Sequence, residues 1–287
     1  MESQKKYPKA FSFEFLPPKT DAGREKLRAA SRELARVNPR YFSVTFGAGG
    51  STRTRTVETV AELMSDTEVR TAPHLSCIGA TEDNVREMLH RYREMGVRQI
   101  VALRGDIPSG MVSLGEFRYA NELVEFIRGE TGDHFEIEVA AYPEYHPQAP
   151  TPEADMDNFV HKVRAGASSA ITQYFFNPDA YFHFVDEVEQ RGLDVAIVPG
   201  VMPIINYRQL ARFSDACGAE IPRWIRRRLE SFGDDHESLL AFGHDVVTDI
   251  CQRLLDAGAP GLHFYTLNRA EPSLAVWRSL DLPANAA

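Results

Sequence analysis

The sequence is poor in cysteine: Cys77, Cys217 and Cys251 are far apart and form no CxxC pair. This excludes a disulfide framework and a paired-cysteine zinc site, and fits reduced thiols in a cytoplasm. No apolar stretch approaches the roughly 20 residues needed to span a bilayer. The first residues, MESQKKYPKA, lack the apolar run of a signal peptide. A cytoplasmic location without a membrane partner is expected. Basic charge is in deficit, with 32 Lys and Arg against 41 Asp and Glu and a net charge of −9. A nucleic-acid surface needs clustered cations, so no nucleic-acid partner is expected. The one dense basic run, Arg226-Arg227-Arg228, lies close to Asp234 and Asp235 and reads as a solvated helix face. HExxH, a paired Cys/His tetrad, an EF-hand loop and GxSxG are all missing, which argues against a metal site and a hydrolase serine. His183 and His263 stand singly among aromatics. No GxGxxG follows the first apolar run, and Gly47-Ala48-Gly49-Gly50 lacks the Lys-Ser/Thr of a P-loop.

What is present is an ordinary globular composition, 43% hydrophobic and 25% charged over 287 residues. A chain of this length can build its core without staples, as two domains or as one large barrel. Short apolar runs rich in β-branched and aromatic residues recur at Phe11–Leu16, Tyr41–Phe46, Arg70–Cys77, Gln99–Leu103, Phe135–Tyr142, Ala170–Phe176, Val195–Val201 and Gly261–Leu267. Segments of helical spacing separate them, such as Arg24–Val37 and Thr81–Met95. Thr81 and Asn177-Pro178-Asp179 are helix starts, and Gly96, Gly166, Gly192 and Gly258 are helix stops. Eight strand–helix units at this length predict an α/β fold, a (β/α)8 TIM barrel with residues 1–287 as a single domain. A doubly wound sheet is the competing architecture; it lacks its glycine motif and leaves no chain for a second domain.

Chemistry in such a barrel sits at the carboxyl ends of the strands. The residues there are Glu14, Thr45, His74 with Ser76, Arg104 with Asp106, Tyr142 with Glu144 and His146, Gln173, Gln209 and Arg269. Glu14 lies on the strand face opposite Phe13 and Phe15 and points into the barrel. It is either a structural ion pair with an arginine or a carboxylic acid whose raised pKa lets it donate a proton. Asp106 is a loop cap or a functional charge. Gln173 and His74 have equivalent readings as satisfied hydrogen-bonding groups. An acid-bearing, aromatic-rich mouth with amides and arginines suits a planar heteroaromatic ligand.

Eight blocks in order carry a resemblance: FSFEFLPPK (11–19), SVTFGA (43–48), APHLSC (72–77), ALRGDIP (102–108), AAYPEYHP (140–147), ITQYFF (171–176), PGVMP (199–203) and HFYTLNR (263–269). Together they resemble the methylenetetrahydrofolate reductase family, from about Phe11 to Trp277. The resemblance is to the short bacterial type, without a C-terminal regulatory domain. It implies FAD as a noncovalent cofactor, NADH or NADPH as co-substrate, methylenetetrahydrofolate as substrate, and a role in one-carbon metabolism and methionine biosynthesis. A homo-oligomer is expected. By the same resemblance Glu14 is the acid that protonates N10 of the folate and opens its imidazolidine ring, leaving an iminium at N5. Asp106 is the aspartate beside flavin and pterin. Gln173, Gln209, Phe213 and Arg269 match substrate-side positions, with Phe213 stacking on the ligand. Thr45, His74, Arg104, Gly105, Ala120, Tyr142, His146, Ala149, Asp155, Asn158 and Lys162 match flavin-contacting positions. Two departures stand out: His161 replaces an arginine beside the lysine, and the loops Gly47–Arg53 and Ser109–Tyr119 differ from the family pattern. Three rival readings are a glycosidase using Glu14 and Glu144, a related flavoprotein reductase fed by a protein electron donor, and a folate-binding subunit.

Overall fold

The computed structural model describes residues 1–46, 50–105 and 115–283, with the backbone alone described over 50–53. Among the described residues, every strand pairing is parallel: β1 (Ala10–Phe15), β2 (Tyr41–Val44), β3 (Thr71–Ser76), β4 (Gln99–Leu103), β5 (Glu136–Ala141), β6 (Ser169–Thr172), β7 (Ala196–Val198), β8 (Gly200–Val201) and β9 (Gly261–Tyr265). The order is β7-β6-β5-β4-β3-β2-β1-β9-β8. Helices α1 (Asp21–Ala35), α2 (Gly50–Thr67), α3 (Glu82–Glu94), α4 (Ala120–Thr131), α5 (Pro152–Arg164), α6 (Pro178–Gln190), α7 (Tyr207–Cys217), α8 (Arg223–Ser231), α9 (His236–Asp256) and α10 (Glu271–Ser279) alternate with them. This is the expected α/β barrel.

The seventh apolar run yields two short strands because Pro199 has no N–H to give the ladder. Before it, β7 pairs with β6; after it, β8 pairs with β9. One run thus bridges both ends of the sheet and closes the cylinder. Gly200 makes the crossing possible, since a Cβ there would lie 2.2 Å from Thr172 O and 2.7 Å from the Tyr265 ring. Its N–H donates to Thr172 Oγ1 at 2.9 Å. The run expected over Ala170–Phe176 leaves the sheet at Thr172; Tyr174, Phe175 and Phe176 are buried as loop residues, Phe175 stacking on Tyr181 at 5.8 Å.

Alternation along β1 sorts its residues between two layers. Phe11, Phe13 and Phe15 are buried against the helices, with Phe11 and Trp277 of α10 at 5.0 Å. Ser12 and Glu14 take the inner face, where Tyr41, Ala72, Val101 and Ile171 form a small apolar cluster. Thr81 caps α3 by accepting from Asn84 N–H, and Asn177 caps α6 ahead of Pro178. The four glycines read as helix stops all take positive φ. Three helices, α7 to α9, lie between β8 and β9 where the eight-unit plan has one; on α8, Ile225 and Leu229 are buried while Arg227 and Arg228 are exposed. No described helix is long and apolar enough to cross a membrane.

Candidate functional site

A cavity of about 610 Å³ opens at the carboxyl ends of β4 and β5. Arg104 and Gly105 follow β4, Ala120 opens α4, and Tyr142, His146 and Ala149 come from the loop after β5; all line it. Asp155, Asn158 and Lys162 line it from α5, where their i, i+3, i+7 spacing puts them on one helix face. Pro152 at the first turn and Thr151 at the cap, accepting from Ala154 N–H, fix where that helix begins.

The loop geometry is closely specified. Gly105 has φ +86°, and a Cβ there would lie 2.0 Å from Ser76 Oγ, so only glycine fits. Ser76 Oγ donates to Arg104 O at 2.8 Å, and the Arg104 guanidinium donates to Gln148 Oε1. Asp155 accepts from His146 N–H at 3.0 Å, and His146 Nδ1 accepts from Gln148 N–H at 3.0 Å. The other nitrogen of the neutral ring, Nε2, therefore carries the proton. Tyr142 and His146 meet edge to face at 4.6 Å. Lys162 Nζ donates to Ala140 O at 2.5 Å, and burial lowers its pKa to about 8, against the opposing pull of Asp155. Burial of this cation beside Arg104 favours an anion in the cavity.

Glu14 stands at the end of β1, its side chain 14% exposed. Its Oε2 lies 3.4 Å from His74 Nε2 and 3.7 Å from His263 Nε2. Both nitrogens are buried without another hydrogen-bond partner. Burial lowers the His74 pKa to about 4, so that ring is neutral at pH 7. Tyr265, the register partner of Glu14 on β9, donates to Thr172 O at 2.8 Å, and burial followed by the nearby Glu14 pushes its pKa well up.

Thr45 and His74 do not line the cavity: Thr45 is half-buried after β2 with its carbonyl accepting from Thr56, and His74 turns to Glu14. Gln173 follows β6 and its Oε1 accepts from Tyr174 N–H at 3.0 Å. Gln209 and Phe213 are half-buried one turn apart on α7, with the Arg212 guanidinium 5.6 Å from the Phe213 ring. Arg269 is exposed in the turn after β9. Asp106, and the loop segments 47–49 and 109–114, lie outside the described residues. His161 is exposed on α5, outside the cavity lining. Glu144 accepts from Glu220 N–H at 2.8 Å, a loop-fastening contact. Gln148, Asn121 and Tyr119 line the cavity without having been expected there. So does Phe46, carried to the same mouth by β2. His263, read as a lone aromatic-flanked histidine, faces Glu14; its alternation with Ser12 across β1 and β9 was the available signal. Among the described residues, no group of His, Cys, Asp and Glu is placed to hold a metal ion.

Fold and site together define a parallel α/β barrel with a half-buried carboxyl and an anion-suited cavity at one mouth. The methylenetetrahydrofolate reductase family model matches residues 1–281. The 5,10-methylenetetrahydrofolate reductase of Escherichia coli strain K12 is 40% identical over 271 residues, covering 94% of this chain and 90% of that one. The Arabidopsis thaliana protein named methylenetetrahydrofolate reductase (NADH) 1 is 37% identical over 286 residues, covering 95% of this chain and 48% of the relative. Among solved structures, a Clostridium thermocellum protein described as binding two copies of 5-methyl-5,6,7,8-tetrahydrofolic acid superposes with a TM-score of 0.64 at 14% identity, over 98% of this chain and 97% of that one. That likeness is one of fold. The chain belongs to the methylenetetrahydrofolate reductase family, and so to the oxidoreductases.

Proposed function

We propose that this protein reduces 5,10-methylenetetrahydrofolate to 5-methyltetrahydrofolate with NAD(P)H, using noncovalently held FAD. The observation that carries this reading is the shared mouth: the cavity with its buried lysine and the acid Glu14 open at the same end of one barrel. The residues present fit the cofactor. A lysine whose charge burial opposes is relieved by a pyrophosphate. Bound there, FAD would supply two-electron hydride chemistry between NAD(P)H and the folate.

The chain's own residues do the rest. Lys162 and Arg104 would hold the phosphates, while Asn158, Tyr142 and His146 would orient the remainder of the cofactor. The family resemblance assigns Asp106 to the flavin and pterin. Glu14 gives its proton to N10 of the folate, and the ring opens to an iminium at N5 that accepts hydride. Neutral His74 beside it keeps the acid from being paid off as an ion pair with a cationic imidazole. Gln173 and Gln209 hydrogen-bond the pterin, Phe213 stacks on the ligand, and exposed Arg269 suits its carboxylate tail. NAD(P)H and folate take turns at this mouth, in a ping-pong sequence. The same reading makes the protein a cytoplasmic homo-oligomer.

The test is spectroscopic. Purified protein should carry about one FAD per chain, bleach under anaerobic NADH or NADPH, and recover its colour on adding methylenetetrahydrofolate. FMN in place of FAD, or protein that stays colourless after reconstitution, overturns the reading. Flavin that NAD(P)H cannot bleach points instead to a protein electron donor.

A further inference from the structure

The barrel interior holds a second carboxylate. Glu138 of β5 is buried, and three side chains converge on it from β2, β4 and β6. Tyr41 donates to Oε2 at 2.5 Å, Gln99 Nε2 to the same oxygen at 2.9 Å, and Ser169 Oγ to Oε1 at 3.0 Å. None of the three is a cation. A buried carboxylate held by neutral donors alone is costly to keep for packing.

A file of side chains leads from it to Glu14. Ser12 is the register partner of both Tyr41 and His263. Its hydroxyl neighbours the Tyr41 phenol across that register and lies 2.7 Å from His263 Nδ1. His263 is fully buried and presents Nε2 to Glu14 Oε2 at 3.7 Å. Closing that last link by roughly 0.8 Å gives the ordinary N–H···O distance of about 2.9 Å.

Tyr41, Ser12 and His263 can each donate and accept. The file therefore has two ordered states. In one, Glu14 holds the proton and donates to His263 Nε2, His263 Nδ1–H donates to Ser12, Ser12 to Tyr41, and Tyr41 to ionised Glu138. In the other, Glu138 holds the proton and every bond runs the opposite way, ending with His263 Nε2–H donating to ionised Glu14.

We propose that Glu138, Tyr41, Ser12 and His263 form a proton relay that reloads Glu14 after each folate reduction; this rests on Glu14 being the acid. Passing from the second state to the first moves one proton at each link: Glu138 to Tyr41, Tyr41 to Ser12, Ser12 to His263 Nδ1, and His263 Nε2 to Glu14. Each group in between loses one proton and gains one, and no electrons change hands. Half-buried Ser169 at the start of β6 connects Glu138 to solvent water, which restores its proton.

Ser12→Ala and Tyr41→Phe each delete one hydroxyl from the file. With FAD bound and reduced, both variants should reduce a first equivalent of methylenetetrahydrofolate at the wild-type rate, because Glu14 starts protonated. Steady-state turnover should then fall at least roughly tenfold, as reloading becomes limiting. Equal slowing of first and later turnovers means a packing role and overturns the relay. So does wild-type behaviour in both. If Tyr41→Phe does not fold, Ser12→Ala carries the same test. A second readout needs neither FAD nor folate: the ring 15N shifts of His263 report its tautomer. Glu138→Gln should change the tautomer ratio of a ring it does not touch; an unchanged ratio overturns the relay. Absence of folate reduction by the wild type would sink the functional reading, and the tautomer measurement would still judge the file.

Discussion

Lys162 is the residue on which the proposed phosphate site turns. Its pKa is lowered from 10.5 to about 8, chiefly by burial, with Asp155 opposing and Arg104 assisting. The unfolded chain therefore binds more protons between those values, and in the free protein the strain of this charge is relieved as pH rises through about 8. A bound pyrophosphate needs the charged form. FAD affinity should thus be constant below pH 8 and weaken by up to about tenfold per pH unit above it. Lys162→Met should bind FAD more weakly at pH 7 and lose this pH dependence. Flavin fluorescence titrations across pH 7–9.5 measure both; an equally steep profile in the variant removes Lys162 from the phosphate site.

The elements were legible because periodicity and caps agree along most of the chain. β4 runs Gln99–Leu103 as its apolar run does, and α3 and α6 start behind Thr81 and Asn177. Tertiary context decided the rest. Tyr174, Phe175 and Phe176 read as strand because they are aromatic, yet they are buried between strand and helix. The break at Pro199 turns one run into the barrel's closure, which a single-chain pattern does not distinguish from a straight strand. Less than half of the cavity lining falls within the motif blocks, chiefly the segments after β4 and β5. Gln148 and the pairing of His263 with Glu14 were not legible, since each depends on a partner distant in sequence, Arg104 and Glu14. The closure has its own test: Gly200→Ala places a methyl against Thr172 O and Tyr265 and should destabilise the fold by about 1–3 kcal/mol, read from thermal unfolding. An unchanged melting temperature would show that the seam is slack.

At the scale of the whole molecule, one barrel carries the proposed cofactor cavity on its β4–β5 side and the carboxyl of Glu14 on its β1–β9 side. The acid's surroundings link site to stability. His74 is buried and its pKa falls from 6.5 to about 4, so the unfolded state binds more protons between those values. Stability is full above pH 6.5 and should decline by about 2–3 kcal/mol as pH falls toward 4.5. Denaturant midpoints of wild type and His74→Gln, compared at pH 7 and 4.5, should show a shallower decline in the variant. Equal declines would assign acid sensitivity to other groups. The central claim concerns Glu14, and stopped-flow absorbance of Glu14→Gln divides the reaction where the claim does. Flavin reduction by NAD(P)H should stay near the wild-type rate, because it needs no proton from this side chain. Reoxidation by methylenetetrahydrofolate should slow by at least about 10²–10⁴-fold, the scale of a lost general acid. Equal slowing of both half-reactions would show that Glu14 organises the pocket and is not the acid.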